Sequence, residues 1–260
     1  MKPMGDAVLG HLLRVAAEPD LTGTPYKLLS VVGKGGMGSI WEVEDTRLQR
    51  RVALKLLHSG AEVIEEARIA ATLEHPGIAP IFEAGTLADG RSYYTMRLVR
   101  GKTLAEAIQP AMPMRERLRI WLAVAEALDF AHSRGVRHRD LKPDNVLAGD
   151  YGEVIVLDWG IAERGEGEAR GDLEALGRLL AYCLPADAPK PLRAIAEARY
   201  GSAREAIHDV IRWQDGAPVR VYQEAWWERV WRWGRNNQVL LLLLAAYALT
   251  KLFLVFLRWT

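Results

Sequence analysis

The feature that most constrains this chain is an eight-residue run, His138–Asn145, with the sequence HRDLKPDN. It follows a long helical pattern, and its proline indicates that the polar side chains lie on a loop. Asp140 can accept a proton from a hydroxyl group, Lys142 can neutralise a migrating phosphoryl group, and Asn145 can hold a metal ion. A charged surface turn is the competing interpretation. Four further motifs in a consistent order along the chain favour a site for phosphoryl transfer.

A glycine-rich segment upstream separates two strand-like stretches. Alone, such a segment also fits a flexible hairpin or a dinucleotide fold. The dinucleotide fold continues into a helix, whereas residues 40–44 alternate apolar and charged side chains like a second strand. A glycine-tipped hairpin lets backbone N–H groups approach the phosphates of a nucleotide. The residues predicted to bind nucleotide here are Gly33, Lys34, Gly35, Gly36 and Gly38, followed by Ile40.

The next strand, over residues 51–57, places Lys55 in a V-A-x-K setting that suits contact with the α- and β-phosphates. A lysine whose charged end reaches solvent from a buried strand is the plainer interpretation. Glu66 follows eleven residues later in a helical run, 62–73. Its neighbour Glu65 points about 100° away around a helix, so only one of the two can face a cleft.

The last motif, Asp158-Trp159-Gly160, follows an apolar hairpin. One carboxylate, one amide from Asn145, phosphates and water form an oxygen ligand set that suits Mg²⁺.

Together these motifs resemble those of bacterial Hanks-type serine/threonine protein kinases, over about residues 26–222. The resemblance implies a two-lobed α+β fold, in which a small lobe of five antiparallel strands and one helix faces a reduced helical lobe. It implies ATP and Mg²⁺ as cofactors, with Asn145 and Asp158 holding a metal ion that bridges the nucleotide phosphates. It also implies that Trp159 packs inward. The catalytic residues it implies are Asp140, Lys142, Lys55 and Glu66, with Glu66 paired to Lys55. The residues it implies around the adenine, besides Ile40, are Ala53, Met96, Leu98 and Val99.

The sequence departs from the family pattern after Gly160. Only eleven residues, 161–171, precede an apparent large-lobe helix with Asp172 as its buried aspartate, and they contain no Ser, Thr or Tyr. Switching by phosphorylation of this segment is therefore excluded, and Arg139, which often grips such a phosphate in the family, has Glu163, Glu166 or Glu168 as substitute anions. Arg199 lacks its usual glutamate partner, so we expect it to be partly exposed or bonded to another carboxylate.

The C-terminal region changes character. Five of the nine tryptophans follow Glu224, and they mix with arginines as at a membrane interface. Residues 239–257 are nearly all apolar and about 28 Å long as a helix, which predicts a transmembrane span. Arginines before the span predict a cytoplasmic kinase domain and a single-pass inner-membrane location. The expected division is an N-terminal extension (1–24), small lobe (25–100), large lobe (101–222), juxtamembrane segment (223–238) and transmembrane helix (239–257).

The sequence thus predicts a membrane-anchored kinase that phosphorylates Ser or Thr in a protein substrate. Self-association through the transmembrane helix is left open. The net charge of +1 argues against nucleic acid as a partner. The single Cys183 lies in an apolar run and is expected to be an inert core thiol. Two alternatives remain: a nucleotide-binding pseudokinase or scaffold at the membrane, and a kinase acting on a small molecule, which needs no peptide-docking shelf.

Overall fold

A computed structural model describes residues 18–35, 38–57, 62–159, 163–164 and 169–259 of the chain. For residues 62–66, 163–164, 253 and 255–259 the structure describes the backbone but not the side chains.

The small lobe is a five-stranded antiparallel sheet with spatial order β1-β2-β3-β5-β4, as the sequence predicts. Strand β3 is central and is buried at every position from Val52 to Leu57, because the sheet is covered on both faces there. One helix, α1, packs against β4 and β5. The elements are β1 (Tyr26–Gly35), β2 (Gly38–Asp45), β3 (Arg50–Leu57), α1 (Glu62–Ala71), β4 (Ile81–Thr86) and β5 (Ser92–Arg97).

The large lobe is organised around a long helix, α3 (Met114–Ser133). Its apolar residues recur at helical spacing, and Leu118, Trp121 and Leu128 are almost completely buried. Full burial of each such side chain contributes roughly 1.5–3 kcal/mol. Helices α4 and α6 pack on α3. The other helices of the lobe are α2 (Leu104–Ala107), α4 (Arg170–Cys183), α5 (Lys190–Glu197) and α6 (Ala203–Gln214).

Short strands hold the site loops in place. Strands β6 (Gly101–Thr103), β8 (Val146–Gly149) and β9 (Val154–Val156) form a small antiparallel sheet that flanks the catalytic loop. Strand β7 (Val136–Arg137), before that loop, pairs with β10 (Glu163–Arg164), after Trp159. The loops that carry Asp140 and Asp158 therefore begin and end on paired strands.

Cys183 is fully buried at the end of α4, and burial raises the pKa of its thiol to about 12. The thiol therefore stays protonated at neutral pH, as the apolar setting predicts for an unreactive cysteine.

Two further helices follow the lobe, α7 (Trp226–Asn236) and α8 (Gln238–Trp259). Helix α7 is tied to the lobe, since Asn236 donates a hydrogen bond to the Gly216 carbonyl at 3.3 Å. The prediction of a helix over 239–257 agrees with α8. The prediction of a transmembrane span does not find support. Within the described part of the chain, no helix combines the length and apolarity of a bilayer crossing.

Candidate active site

The catalytic loop brings together three residues that the sequence singled out. The Lys142 ammonium donates to Asp140 Oδ2 at 2.6 Å, and Asn145 Nδ2 donates to the same oxygen at 3.1 Å. Partial burial would raise the pKa of Asp140, but the Lys142 ammonium and the Asn145 amide together hold it below its usual range. The same ion pair raises the pKa of Lys142. Both groups are therefore charged at neutral pH, as a hydroxyl-orienting carboxylate and a phosphate-neutralising lysine require.

The start of this loop is fixed by Asp172, at the first turn of α4. Its two carboxylate oxygens accept hydrogen bonds from the backbone N–H groups of His138 and Arg139, each at 2.7 Å. Arg139 has a φ of +68°, a left-handed conformation that directs consecutive N–H groups to one side of the chain. His132, from α3, bonds to Asp172 at 2.9 Å. Burial would raise the pKa of Asp172, but these three hydrogen bonds lower it overall.

His138 joins the catalytic loop to the segment that carries Asp158. Its Nδ1 accepts from the Asp140 N–H at 3.2 Å, and its Nε2 donates to the Leu157 carbonyl at 2.8 Å. One accepting and one donating nitrogen define a neutral ring, and burial lowers the pKa of His138 despite the carboxylates around it. Trp159 is buried and packs on the His138 ring at 4.7 Å between centroids, as its predicted inward orientation requires.

Lys55 and Asp158 bridge the two lobes. Lys55 Nζ lies 2.9 Å from Asp158 Oδ1, although the two residues are 103 positions apart in the chain. The Lys55 side chain is 4% exposed and that of Asp158 is 36% exposed, so the lysine is buried and the aspartate partly reaches solvent. Asp158 has a φ of +57°, a left-handed backbone conformation that a non-glycine residue adopts only at some energetic cost. Residues in such strained conformations are concentrated at functional sites.

Two predicted groups fall partly outside the description. Glu66 lies in α1, but its side chain is among those not described, so its pairing with Lys55 stays a prediction. Gly36 is also outside the described residues, whereas Gly33, Lys34 and Gly35 end β1 and Gly38 begins β2. At Gly38 a side chain would collide with the Leu56 carbonyl of β3, so glycine is also required there for packing.

The predicted adenine residues share one cavity of about 380 Å³ between the lobes. This size lies within the range of small-molecule pockets. Ile40, Ala53, Met96, Leu98 and Val99 all line it.

Sequence reasoning missed several other residues of this cavity, among them Val32, Leu147 and Leu157. Leu147 falls two residues after Asn145, and Leu157 directly precedes Asp158. The closeness of these apolar residues to Asn145 and Asp158 in the sequence was the available signal that their side chains line the cavity.

The oxygen donors present fit a magnesium ion that is shared with a nucleotide. Because the Asn145 amide nitrogen faces Asp140, the amide oxygen of Asn145 is available as a ligand. The Leu157 N–H bonds to the Asn145 backbone carbonyl at 2.8 Å, which holds the neighbouring Asp158 beside Asn145 in the fold. The described residues contain no cluster of three His, Cys, Asp or Glu side chains that could hold a metal alone. Phosphate oxygens and water would therefore complete the Mg²⁺ ligand set.

The segment after Asp158, which the sequence predicts to be shortened, is described at residues 163–164, in β10, and again from 169. Glu166 and Glu168, proposed as substitute anions for Arg139, lie outside the described residues, as does the side chain of Glu163. Arg199 is exposed, which agrees with the expectation for an arginine without its usual glutamate.

Comparison with known proteins places these residues in a wider group. A sequence profile described as the protein kinase domain matches residues 26–180, which include every predicted site residue. The serine/threonine-protein kinase PknD of Protochlamydia amoebophila is 34% identical over 169 residues, 55% of this chain and 17% of that protein. The PknD proteins of Chlamydia trachomatis serovar D and Chlamydia muridarum are 37% and 36% identical over 159 residues, 53% of this chain and 17% of each relative. The chain thus matches about a sixth of the length of these relatives.

Proposed function

Because the chain belongs to the protein kinase family, we propose that it transfers the γ-phosphoryl group of ATP to a serine or threonine hydroxyl of a protein. The observation that carries the proposal is the contact of Lys142 and Asn145 with a single oxygen of Asp140. The adenine cavity and the Lys55–Asp158 pair supply the rest of a nucleotide site.

The residues act mainly by positioning and by balancing charge. Asp140, ionised at neutral pH, accepts a hydrogen bond from the acceptor hydroxyl and receives its proton as the phosphoryl group moves. Lys142 neutralises charge on the transferring group, and Lys55 contacts the α- and β-phosphates. Asn145 and Asp158 would hold Mg²⁺, which neutralises the phosphate charge when bound.

Lys142 is the residue that favours a Ser or Thr acceptor. It stands two positions after the proton acceptor and is ion-paired with it, so it can reach the phosphoryl group while the hydroxyl is held. The similarity to serine/threonine-protein kinases supports the same acceptor class.

The decisive experiment measures phosphoryl transfer by the purified full chain from labelled ATP and Mg²⁺ to itself and to casein. Asp140→Asn is expected to lower transfer by about 100-fold or more, because an amide cannot accept the proton. Asp144→Asn is the matched control, since Asp144 is an exposed carboxylate on the same loop. Phosphosites on Ser or Thr, mapped by mass spectrometry, identify the acceptor class.

The alternatives give different results in the same assay. Nucleotide binding without transfer above the Asp140→Asn background would contradict the proposal and support a scaffold. ATP consumption that requires Asp140 but labels no protein would support a small-molecule kinase.

We also propose that α7 and α8 attach the chain to the inner membrane, with the kinase lobes on the cytoplasmic side. The support is the sequence of α8 and the exposure of its described apolar side chains, such as Leu242 (69%) and Leu252 (70%). Trp226 and Trp231 of α7 are also exposed and suit an interfacial position.

Flotation on phosphatidylethanolamine/phosphatidylglycerol liposomes tests the attachment. The full chain should float, and a chain ending at Asn237 should stay in the aqueous fraction with its phosphoryl transfer intact. Equal partitioning of the two would contradict it. Self-association through α8 stays a prediction, which crosslinking in the same liposomes would test.

A further inference from the structure

Helix α7 is amphipathic, but its polar side faces the large lobe and its apolar side faces outward. With about 100° between successive residues, the apolar side chains share one side of the helix. A surface helix of a globular domain normally buries that side, whereas no described element of the chain covers it here. The side chains of this outward face are each more than half exposed: Trp226, Trp227, Val230, Trp231 and Trp233.

A polar stripe on the other side of α7 fixes the helix in this orientation. Glu228, Arg232 and Asn236 are spaced four residues apart and therefore follow one another along the helix. Glu228 accepts a hydrogen bond from the Tyr222 hydroxyl at 2.9 Å, and Arg232 donates to Glu224 at 2.6 Å. Tyr222 itself packs against the core of the large lobe. The outward direction of the tryptophans is thus set by contacts of the polar stripe.

Helix α7 lies at the end of the large lobe that is far from the catalytic loop. Arg117, in the first turn of α3, donates to the carbonyl of Cys183 at the end of α4 at 2.8 Å, and α5 begins soon after at Lys190. The charge of Lys190 acts on the Glu228 carboxylate of α7. The catalytic loop follows the opposite end of α3, whose 20 residues span about 30 Å.

Two arginines border the outward face, one on each side. Arg229 and Arg235 are exposed, and each lies four residues from a tryptophan at the edge of the face, Trp233 and Trp231 respectively, which places it about 40° further around the helix. Glu228 is the only acidic residue of α7 and belongs to the polar stripe. The rim of the apolar face therefore carries positive charge.

We propose that the outward face of α7 binds the headgroup layer of a membrane that contains anionic phospholipid, with the helix axis parallel to the bilayer surface. Tryptophan rings are suited to the depth of the headgroups, and bordering arginines reach the lipid phosphates. A second copy of the chain would meet the same positive rim, which disfavours it as the occupant. Helix α8 follows at Gln238, so its attachment to the bilayer holds α7 at a high effective concentration beside the surface.

This inference rests on the proposed attachment through α8, and it adds how the kinase stands on the membrane. Because the polar stripe ties α7 to the large lobe, the lobe rests on the bilayer with the end that carries Arg117. The catalytic loop then stands up to roughly 30 Å further out, the length of α3. The acceptor hydroxyl therefore belongs to a soluble protein, or to a domain that extends this far from the bilayer.

A dye on the outward face tests the contact. Trp231→Cys, combined with Cys183→Ala, is labelled with nitrobenzoxadiazole in the full chain, which is placed in nanodiscs of phosphatidylethanolamine and phosphatidylglycerol. Its emission should shift to shorter wavelengths, and energy transfer to a headgroup-labelled lipid should be nearly complete. The same dye at Lys27→Cys, an exposed position of β1 in the small lobe, should show no shift and weak transfer. Equal transfer from both positions would contradict the orientation.

Matched variants test the arginines. Arg229→Gln together with Arg235→Gln should lower the ratio of lipid-contacting to water-exposed dye by about 25-fold, since each arginine near an anionic surface contributes about fivefold. Phosphatidylcholine in place of phosphatidylglycerol should have a similar effect on the unchanged chain. Lys27→Gln together with Lys102→Gln, at exposed positions outside α7, is the control and should leave the ratio unchanged. An equal ratio in the arginine and lysine pairs would overturn the inference.

The same samples separate this inference from the proposals beneath it. A chain that does not co-purify with nanodiscs would contradict both the attachment and the docking of α7. A chain that co-purifies while its Trp231 dye stays in water would overturn the docking alone. Energy transfer between Trp231 dyes on different chains would show that a second copy covers the face, and would also overturn it. Phosphoryl transfer to casein, measured in parallel, reports on the kinase proposal independently of all three results.

Discussion

The ammonium group of Lys55 lies 2.9 Å from the carboxylate of Asp158, which links the central strand of the small lobe to the end of the β8–β9 hairpin. A nucleoside triphosphate and its metal ion would bind between these two groups, since the lysine is suited to contact the phosphates and the aspartate to hold the metal ion. The pair thus marks the point between the two lobes at which the phosphates and the metal ion would lie.

Replacement of Lys55 should therefore affect turnover far more than stability. Lys55→Met is expected to lower kcat by about 100-fold, the usual effect of removing a charge that stabilises a transition state. Stability should change little, because Asp158 is partly exposed and can be solvated. Lys27→Met, at an exposed position of β1, is the control. Initial rates over a range of ATP concentrations and urea unfolding give the two quantities, and near-normal turnover of Lys55→Met would contradict the proposed role.

Asp172 should be important for stability. Asp172→Ala leaves two backbone N–H groups and His132 without their acceptor, so unfolding free energy should fall by about 3 kcal/mol at neutral pH. The lowered pKa of Asp172 means that this stabilisation is present above the usual carboxyl pKa and is lost as the pH falls through the folded-state value. Asp187→Ala, at an exposed loop position, should change the unfolding free energy by less than about 0.5 kcal/mol. An equal effect of both changes would refute the assignment.

His138 should make the fold sensitive to mild acid. Its pKa is lowered in the folded state by burial, so below about pH 6.5 the unfolded chain binds a proton that the folded chain does not. The free energy of unfolding should decrease as the pH falls from 6.5, with a slope of at most about 1.4 kcal/mol per pH unit from this group. Unfolding of His138→Gln between pH 5 and 8 should lack this component, whereas His208→Gln, at an exposed position, should retain it.

The glycine-rich hairpin contains glycines that serve different purposes. Gly38→Ala forces a methyl group against the Leu56 carbonyl, and should cost about 1–3 kcal/mol of unfolding free energy as β2 and β3 separate. Gly33→Ala meets no atom within 4 Å, and should leave unfolding free energy within about 0.5 kcal/mol. Thermal unfolding of the two variants decides the point: similar losses in both would contradict the packing role of Gly38.

The parts of the site that sequence predicts well are those whose geometry is set by near neighbours. Asp140, Lys142 and Asn145 lie within six consecutive residues, so one loop conformation brings them together. The alternation around Gly33–Gly38 likewise indicates two paired strands, because the side-chain period of a strand is local.

Other relationships depend on packing between distant segments and are not visible in a pattern. His132 reaches Asp172 only because α3 and α4 pack together. The position of Lys55 opposite Asp158 depends on how the lobes meet, so the sequence indicated a phosphate-binding lysine but not this partner.

Helix α4 carries Asp172 at its first turn. Through this one side chain the helix holds the backbone N–H groups that lead into Asp140, and His132 of α3 holds the side chain in turn. A rotation of α4 would therefore change the aim of the proton acceptor without touching the acceptor itself. Catalytic alignment in this chain thus depends on the packing between two helices of the large lobe.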